Sequence, residues 1–358
     1  MKRRSFAFGG LAMMAASGAK AADQYEMPAE SAPHLRTFMQ WPVSVEVYGE
    51  RLLARVQNAI ADIAKTIARY EEVVVLVGDD AQAEAKAKLG GSVNLWNIPT
   101  DDLWCRDSGP TFVKNAGGEL AVSQIQFNGW GNKQQHGHDA QIARRVAELL
   151  GTPYLETGLV CEQGGLEHDG AGLVLAHASS WVNPNRNTGS EAEIGARILA
   201  AVGGSQMIWA PGIKGADITD YHIDALARFV APGRILVQMP ERIDPDDPWS
   251  RAALATYEAL QSARTADGKE LEIIKLAEPV DIRSHKKDFV ASYVNYYVCN
   301  GAVICSEFGD RAADGRAREM FEDLYPGREV VMLNTDPIGE SGGGIHCSTQ
   351  QQPKAGVV

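Results

Sequence analysis

The sequence predicts a single α/β domain of five hairpin, helix and strand units closed head to tail. Three observations predict it. Four times, two short apolar runs flank a glycine turn, which is a hairpin signal. After each pair comes a helix-period pattern and then a short strand-like run. A helix and a strand begin the series, and a glycine-rich segment supplies the last strands, completing a fifth unit.

The elements follow in order along the 358 residues. At the start, Arg3 and Arg4 precede an apolar stretch from Phe6 to about Ala19, and Ala19-Lys20-Ala21 offers small residues for cleavage. This is the pattern of a twin-arginine export signal over residues 1–21, leaving a catalytic domain at 22–358 that is periplasmic or secreted. The stretch is too short and too rich in Gly and Ala for a stable membrane span. ERLLARVQNAIADIAKTIARY (50–70) reads as a helix and VVVLVG (73–78) as a strand. The four hairpins are TFVKNAGGELAVSQIQF (111–127), DGAGLVLAHASSW (169–181), ALARFVAPGRILVQM (225–239) and SYVNYYVCNGAVICSEF (292–308). Helices follow in HDAQIARRVAELLG, SEAEIGARILAAVG, PWSRAALATYEALQSAR and AADGRAREMFEDLYPG. Each leads to a strand, in TPYLETGL, SQMIWAPG, LEIIKLAE and REVVMLN, and GGGIHCST (342–349) ends the series. In a closed arrangement, residues far apart in the chain meet on one axis.

Charge narrows the function. The formal net charge is −12, and loss of residues 1–21, which carry Lys2, Arg3, Arg4 and Lys20 but no acid, makes it −16. A nucleic-acid partner needs a basic patch, and none is visible. Five cysteines, odd in number and without a C-x-x-C, signal neither a disulfide framework nor a zinc site. Cys161, Cys299 and Cys305 read as small buried hydrophobes.

Chemistry concentrates in three segments. In DDLWCRDSGP (101–110), Arg106-Asp107 precedes a turn and is either a surface ion pair or a functional pair. In TDYHIDALARF (219–229), an extended backbone puts Asp220, His222 and Asp224 on one face. Three such groups face solvent, hold a metal, or form a histidine held by carboxylates that also grip a cation. In GESGGGIHCSTQQQP (339–353), glycines allow close backbone approach at Cys347. A nucleophilic cysteine needs an acid or base within reach, and His222, with its flanking carboxylates, is the best candidate. HGHD (136–139) reads as a helix entry with His138 or Asp139 near the N-cap, and His177 and His285 as ordinary histidines. A thiolate, an imidazole and several carboxylates together suit a guanidinium, a flat cation whose carbon demands a polarisable nucleophile.

Seven stretches in order, TFMQWP, DLWCRDSGPTFV, FNGWGNK, VNPNRN, TDYHIDALARFV, ASYVNYYVCNGAVI and GGGIHCSTQQQP, resemble the agmatine deiminase and bacterial peptidylarginine deiminase family of the guanidino-group-modifying superfamily. The resemblance implies a five-bladed α/β propeller of pentein type with pseudo-fivefold symmetry. It implies Cys347 as nucleophile, His222 as general acid and then base, and Asp107 and Asp224 as acceptors of guanidinium N–H groups. It further suggests Trp104 on the substrate's aliphatic arm and Asn295, Glu162 and Asp169 at the substrate. The loop Glu162 to Gly170 departs from the family's E-G-G-S and D-G pattern at Gln163 and His168. No metal or organic cofactor is called for, the partner is a small cationic guanidino substrate, and a homodimer is the candidate assembly. The expected reaction is agmatine to N-carbamoylputrescine plus ammonia, with peptidylarginine or free arginine as the alternative substrates. Two rivals stand beside it: a metal-dependent amidohydrolase using Asp220, His222 and Asp224, and an exported binder of cationic amines without turnover.

Overall fold

The computed structural model describes residues 24–356, so the export-signal reading lies outside the described residues. Among them the strands form five small sheets. In four sheets an antiparallel hairpin is extended by a parallel strand that returns after a helix. The hairpin Thr111–Asn115 and Leu120–Gln126 gains Tyr154–Val160 in this way. Leu166–His168 and Leu173–His177 gain Gln206–Ala210. Ala227–Ala231 and Arg234–Met239 gain Glu272–Ala277, and Tyr297–Cys299 and Ala302–Glu307 gain Glu329–Asn334.

Local sequence explains these elements. Gly233 (φ 68°) and Gly301 (φ 81°) take the left-handed conformation that two-residue hairpin loops need. Ser190 and Glu193 form a capping box at the start of helix Glu191–Val202. Asp247 accepts from the Trp249 and Ser250 amides ahead of helix Pro248–Ser262, and Asp310 accepts from Ala313 at the start of Arg311–Leu324. Such caps contribute about 1 kcal/mol each.

The fifth sheet joins distant parts of the chain. Thr349–Pro353 runs antiparallel to His34–Gln40, which pairs in parallel with Glu72–Val77 and, through it, Asn94–Asn97. The expectation that GGGIHCST is itself strand needs correction, because the strand begins only at Thr349. The preceding glycines instead bring the backbone against side chains: a methyl group on Gly343 would lie 2.4 Å from the Trp104 ring, and one on Gly344 2.4 Å from Asn295 Oδ1.

The core reaches the site. Helix Val45–Ile67 buries Val56, Ile60, Ile63 and Ile67 against Val73, Val75 and Val77 of its own sheet and against Tyr297 and Ile304 of the next. Each fully buried aliphatic side chain contributes roughly 1.5–3 kcal/mol. The same cluster continues to Trp104, Trp130 and Ile345, with half-buried Cys347 packed on it. Cys161, Cys299 and Cys305 are buried as expected, and Cys105 with them. Among the described residues, no helix is long and apolar enough to cross a membrane.

Candidate active site

Asp107 lies in the single helical turn Cys105–Ser108, whose Arg106 amide donates to the carbonyl of Cys347 at 3.0 Å. That bond ties the two segments together. Arg106 and Asp107 are only 1% and 6% exposed, so the surface-ion-pair reading fails. Asp139 holds this loop from below by accepting from the Asp101 and Asp102 amides (2.8 and 3.1 Å). The expected helix entry at His138 is present, but neither His138 nor Asp139 caps it with a side chain.

Asp107 Oδ2 accepts from Trp130 Nε1 at 2.9 Å, while Asp107 Oδ1 has no hydrogen-bond partner and sits 3.6 Å from His222 Nδ1. The other ring nitrogen of His222 is 3.1 Å from Glu162 Oε2. Glu162 in turn is gripped by Arg186 Nε at 2.9 and 3.0 Å. Asp224 Oδ2 lies 2.7 Å from His346 Nδ1 and 3.5 Å from Cys347 Sγ, and Asp224 Oδ1 is again buried without a partner. Asn295 Nδ2 lies 3.1 Å from the sulfur, and Asn295 Oδ1 accepts the Cys347 amide at 3.3 Å. Gly164 closes one side: a methyl group there would lie 2.6 Å from Asp107 Oδ1, 2.8 Å from His222 Nδ1 and 3.3 Å from Asp224 Oδ2. One small space is therefore bordered by all three groups.

Of the eight expected site residues, Cys347, His222, Asp107, Asp224, Asn295 and Glu162 come together. Trp104 is buried in the core with its ring on Gly343, next to the cysteine segment. Asp169 does not join them. Its Oδ1 accepts from the Ala171 and Leu173 amides and its Oδ2 from Gly233, so it shapes its own turn. Nor does Asp220 share a face with His222 and Asp224. Asp220 (φ 59°) and Tyr221 (φ 71°) leave the extended region, and Ile223–Ala225 is a 3₁₀ turn, so strand alternation does not apply. Asp220 turns instead to Arg186 and Lys133, each at 2.8 Å. The metal triad therefore does not converge, and among the described residues no group of three acids, histidines or cysteines is placed to hold a metal ion. Gln163 is also occupied elsewhere, accepting from Thr111 Oγ1 (2.9 Å) and Gln350 Nε2 (2.5 Å).

The electrostatics follow from burial and pairing. Burial pushes Asp107 up to about 6, with Glu162 and Asp224 adding to the rise and His222 opposing it. For His222, burial works downward, but Asp107 and Glu162 outweigh it and raise the imidazole to about 9. Burial also works upward on Asp224, yet His346 and His222 hold it below the usual carboxylate range. Glu162 is likewise held low by His222 and Arg186 against its burial. The Cys347 thiol is pushed well up by burial and then by Asp224 and Asp107. At neutral pH the set is a protonated imidazole, a neutral thiol and carboxylates with open acceptors.

Sequence reasoning missed His346, Glu30, Arg228, Trp130 and Arg186. His346 is adjacent to Cys347, and Trp130 lies in the glycine-flanked FNGWGNK, signals that were available. For Glu30, whose partners Arg106, Arg228 and His346 are distant in the chain, no local signal exists. Cavity size is no guide either, since a space of about 570 Å³ lined by Tyr25, Ser123, Leu155 and Arg197 contains none of these groups.

Comparison with known proteins agrees with this geometry. A model of the Porphyromonas-type peptidyl-arginine deiminase family matches residues 26–353. A Streptomyces coelicolor protein provisionally named agmatine deiminase is 38% identical over 339 residues, covering 92% of this chain and 99% of that one. The agmatine deiminase of Pseudomonas fluorescens is 34% identical over 359 residues, covering 93% and 96%. The solved agmatine deiminase of Enterococcus faecalis superimposes with a TM-score of 0.85 at 26% identity, covering 93% of this chain and 97% of that one. With a match that runs through all five sheets and every segment of the site, this chain belongs to the Porphyromonas-type peptidyl-arginine deiminase family.

Proposed function

We propose that the protein is a hydrolase that deiminates a guanidino substrate, with agmatine as the substrate and N-carbamoylputrescine and ammonia as products. One observation carries the reading: the buried carboxylates Asp107 and Asp224 each keep one oxygen without a donor, and Asp107 Oδ1 and Asp224 Oδ2 border the same space as His222, with Cys347 Sγ 3.5 Å from Asp224 Oδ2. Unfilled acceptors of this kind are costly unless a donor-rich cation fills them. A guanidinium is such a cation.

The steps follow from the same geometry. Docking of the cation neutralises the two acids, which removes the main charges that oppose a thiolate on Cys347. The thiol proton passes to solvent as the cation docks, and the sulfur bonds to the guanidinium carbon. His222, protonated at neutral pH, gives its proton to the departing amine, so the C–N bond breaks and ammonia leaves. The neutral imidazole then takes a proton from water, whose oxygen bonds to the carbon of the amidino-thioether. Collapse breaks the C–S bond and the remaining O–H bond, passing that proton to the leaving sulfur, and releases the ureido product with a neutral thiol. Glu162, fixed by Arg186, orients the ring.

Agmatine is favoured over peptidylarginine because the curated relatives at 33–38% identity carry agmatine in their names. The test is ammonia release measured on agmatine, arginine and an arginyl peptide, with Cys347→Ser as control. Equal release by wild type and Cys347→Ser would end the deiminase reading. Efficient release from the arginyl peptide and not from agmatine would replace the substrate.

Two coarser proposals accompany it. The five sheets form the five blades of a pseudo-fivefold propeller, a reading supported by the seam between Thr349–Pro353 and His34–Gln40 and by Glu30, which contacts four segments distant in the chain. Residues 1–21 direct export by the twin-arginine route, supported by Arg3-Arg4 and the apolar run behind them. Fractionation of cells expressing wild type and an Arg3→Lys, Arg4→Lys variant tests this: retention of the variant in the cytoplasm is expected.

A further inference from the structure

His346 occupies a position that the steps above do not use. It is 2% exposed and stands between two acids, with Nδ1 2.7 Å from Asp224 Oδ2 and Nε2 2.9 Å from Glu30 Oε2. An ionised carboxylate only accepts hydrogen bonds. Both ring nitrogens must therefore donate, unless one carboxyl is protonated. Glu30 is a poor candidate for that proton, because its Oε2 also receives Arg228 (2.8 Å) and Arg106 (3.2 Å) while its Oε1 accepts the Val298 amide (2.9 Å). Asp224 is a poor candidate too, since its Oδ2 also accepts from the Cys347 thiol at 3.5 Å.

We propose that His346 is a positioning residue, held as an imidazolium between Glu30 and Asp224, whose charge keeps Asp224 ionised and aimed at the guanidinium. The buried charges behind the site then match: Glu30, Glu167 and Asp224 against Arg106, Arg228 and protonated His346. The ring's two ion-pair partners, Glu30 and Asp224, belong to this set, as does Arg106, whose Nε donates to the His346 carbonyl at 3.3 Å. The depression of both Asp224 and Glu30 below the usual carboxylate range, against burial that works to raise them, has His346 among its leading causes. The inference rests on the deiminase reading for its consequence, though not for the protonation state itself.

His346→Asn separates charge from hydrogen bond, because the Asn amide nitrogen lies about where Nδ1 does yet is neutral. Loss of the charge raises Asp224, so activity on agmatine should fall most at low pH. Asp107 sets the acid limb of kcat/KM near 6, and in His346→Asn the ionisation of Asp224 should join it, so that the limb steepens and moves up, with a loss of about tenfold or more at pH 6 that shrinks toward pH 9. A purely structural role would lower kcat/KM evenly across pH, and an unmoved acid limb in folded His346→Asn overturns the proposal. If that variant does not fold, neutron diffraction of wild-type crystals decides. Deuterium on both ring nitrogens of His346 is expected, and a bare ring nitrogen overturns the proposal. Absence of ammonia release by wild type would sink the deiminase reading instead, leaving the neutron result to stand or fall separately.

Discussion

Asp220 and Asp224 stand two residues either side of His222 and are 2% and 0% exposed, yet their surroundings are opposite. Asp220 is saturated: Arg186 and Lys133 hold Oδ2 and the Gly215 amide holds Oδ1 at 2.8 Å. Asp224 has one oxygen on His346 and the other on nothing. The first is neutralised from within the protein and braces the loop. The second, although His346 lies against one of its oxygens, keeps the other acceptor open. A buried acid marks a binding site through its unfilled acceptor, and its charge alone does not.

The comparison can be broken in several ways, the most drastic of which removes the sulfur. Cys347→Ser should cut ammonia release from agmatine by about three orders of magnitude or more, while calorimetry still detects binding at the two open acids. If binding vanishes with the sulfur, the acids are not the recognition element. Next, Asp224→Asn should lower kcat/KM by about a thousandfold with a modest change in melting temperature. Asp220→Asn should do the reverse, costing about 3 kcal/mol of stability by leaving Arg186 less compensated, with a smaller loss of kcat/KM in the folded fraction. Matching kinetic losses at unchanged stability would erase the distinction.

The pH profile sharpens it further. Asp107 must be ionised to accept from the substrate, so kcat/KM should fall as pH drops through about 6. His222 must be protonated to act as acid, so it should fall again as pH rises through about 9. Glu162→Gln removes a carboxylate that supports the imidazolium and should bring the basic limb below 9. The raised imidazole also stabilises the fold: that contribution is complete below about 6.5 and is lost as pH rises through about 9. The smallest effect belongs to Cys305→Ala, a fully buried thiol among Val303, Tyr296 and Phe321, which should leave kcat/KM unchanged and cost about 1 kcal/mol.

Much of this was legible before the coordinates. The four hairpins and their following helices carry local signals, such as Asn300-Gly301 at a turn and Ser190 with Glu193 at a helix start. That Cys347, His222, Asp107 and Asp224 would gather in space was legible because their chemistry is scarce and their segments match a known family. Asp220 was misread because two residues with positive φ, one of them a tyrosine, interrupt an apparently extended run. Asp169 was misread because a turn-capping acid and a substrate-binding acid look identical in sequence. Glu30 and Arg228 were invisible, since they lie far apart in the chain and meet only in the fold.

The seam between Thr349–Pro353 and His34–Gln40 has one more implication. Its strands are separated by nearly the whole described chain, and contacts of such long range are slow to form. Cys347 sits two residues ahead of that seam, so the placement of the sulfur is tied to the pairing of the chain's two ends. Severing that pairing would therefore cost the site its sulfur while leaving every local hairpin its own hydrogen bonds.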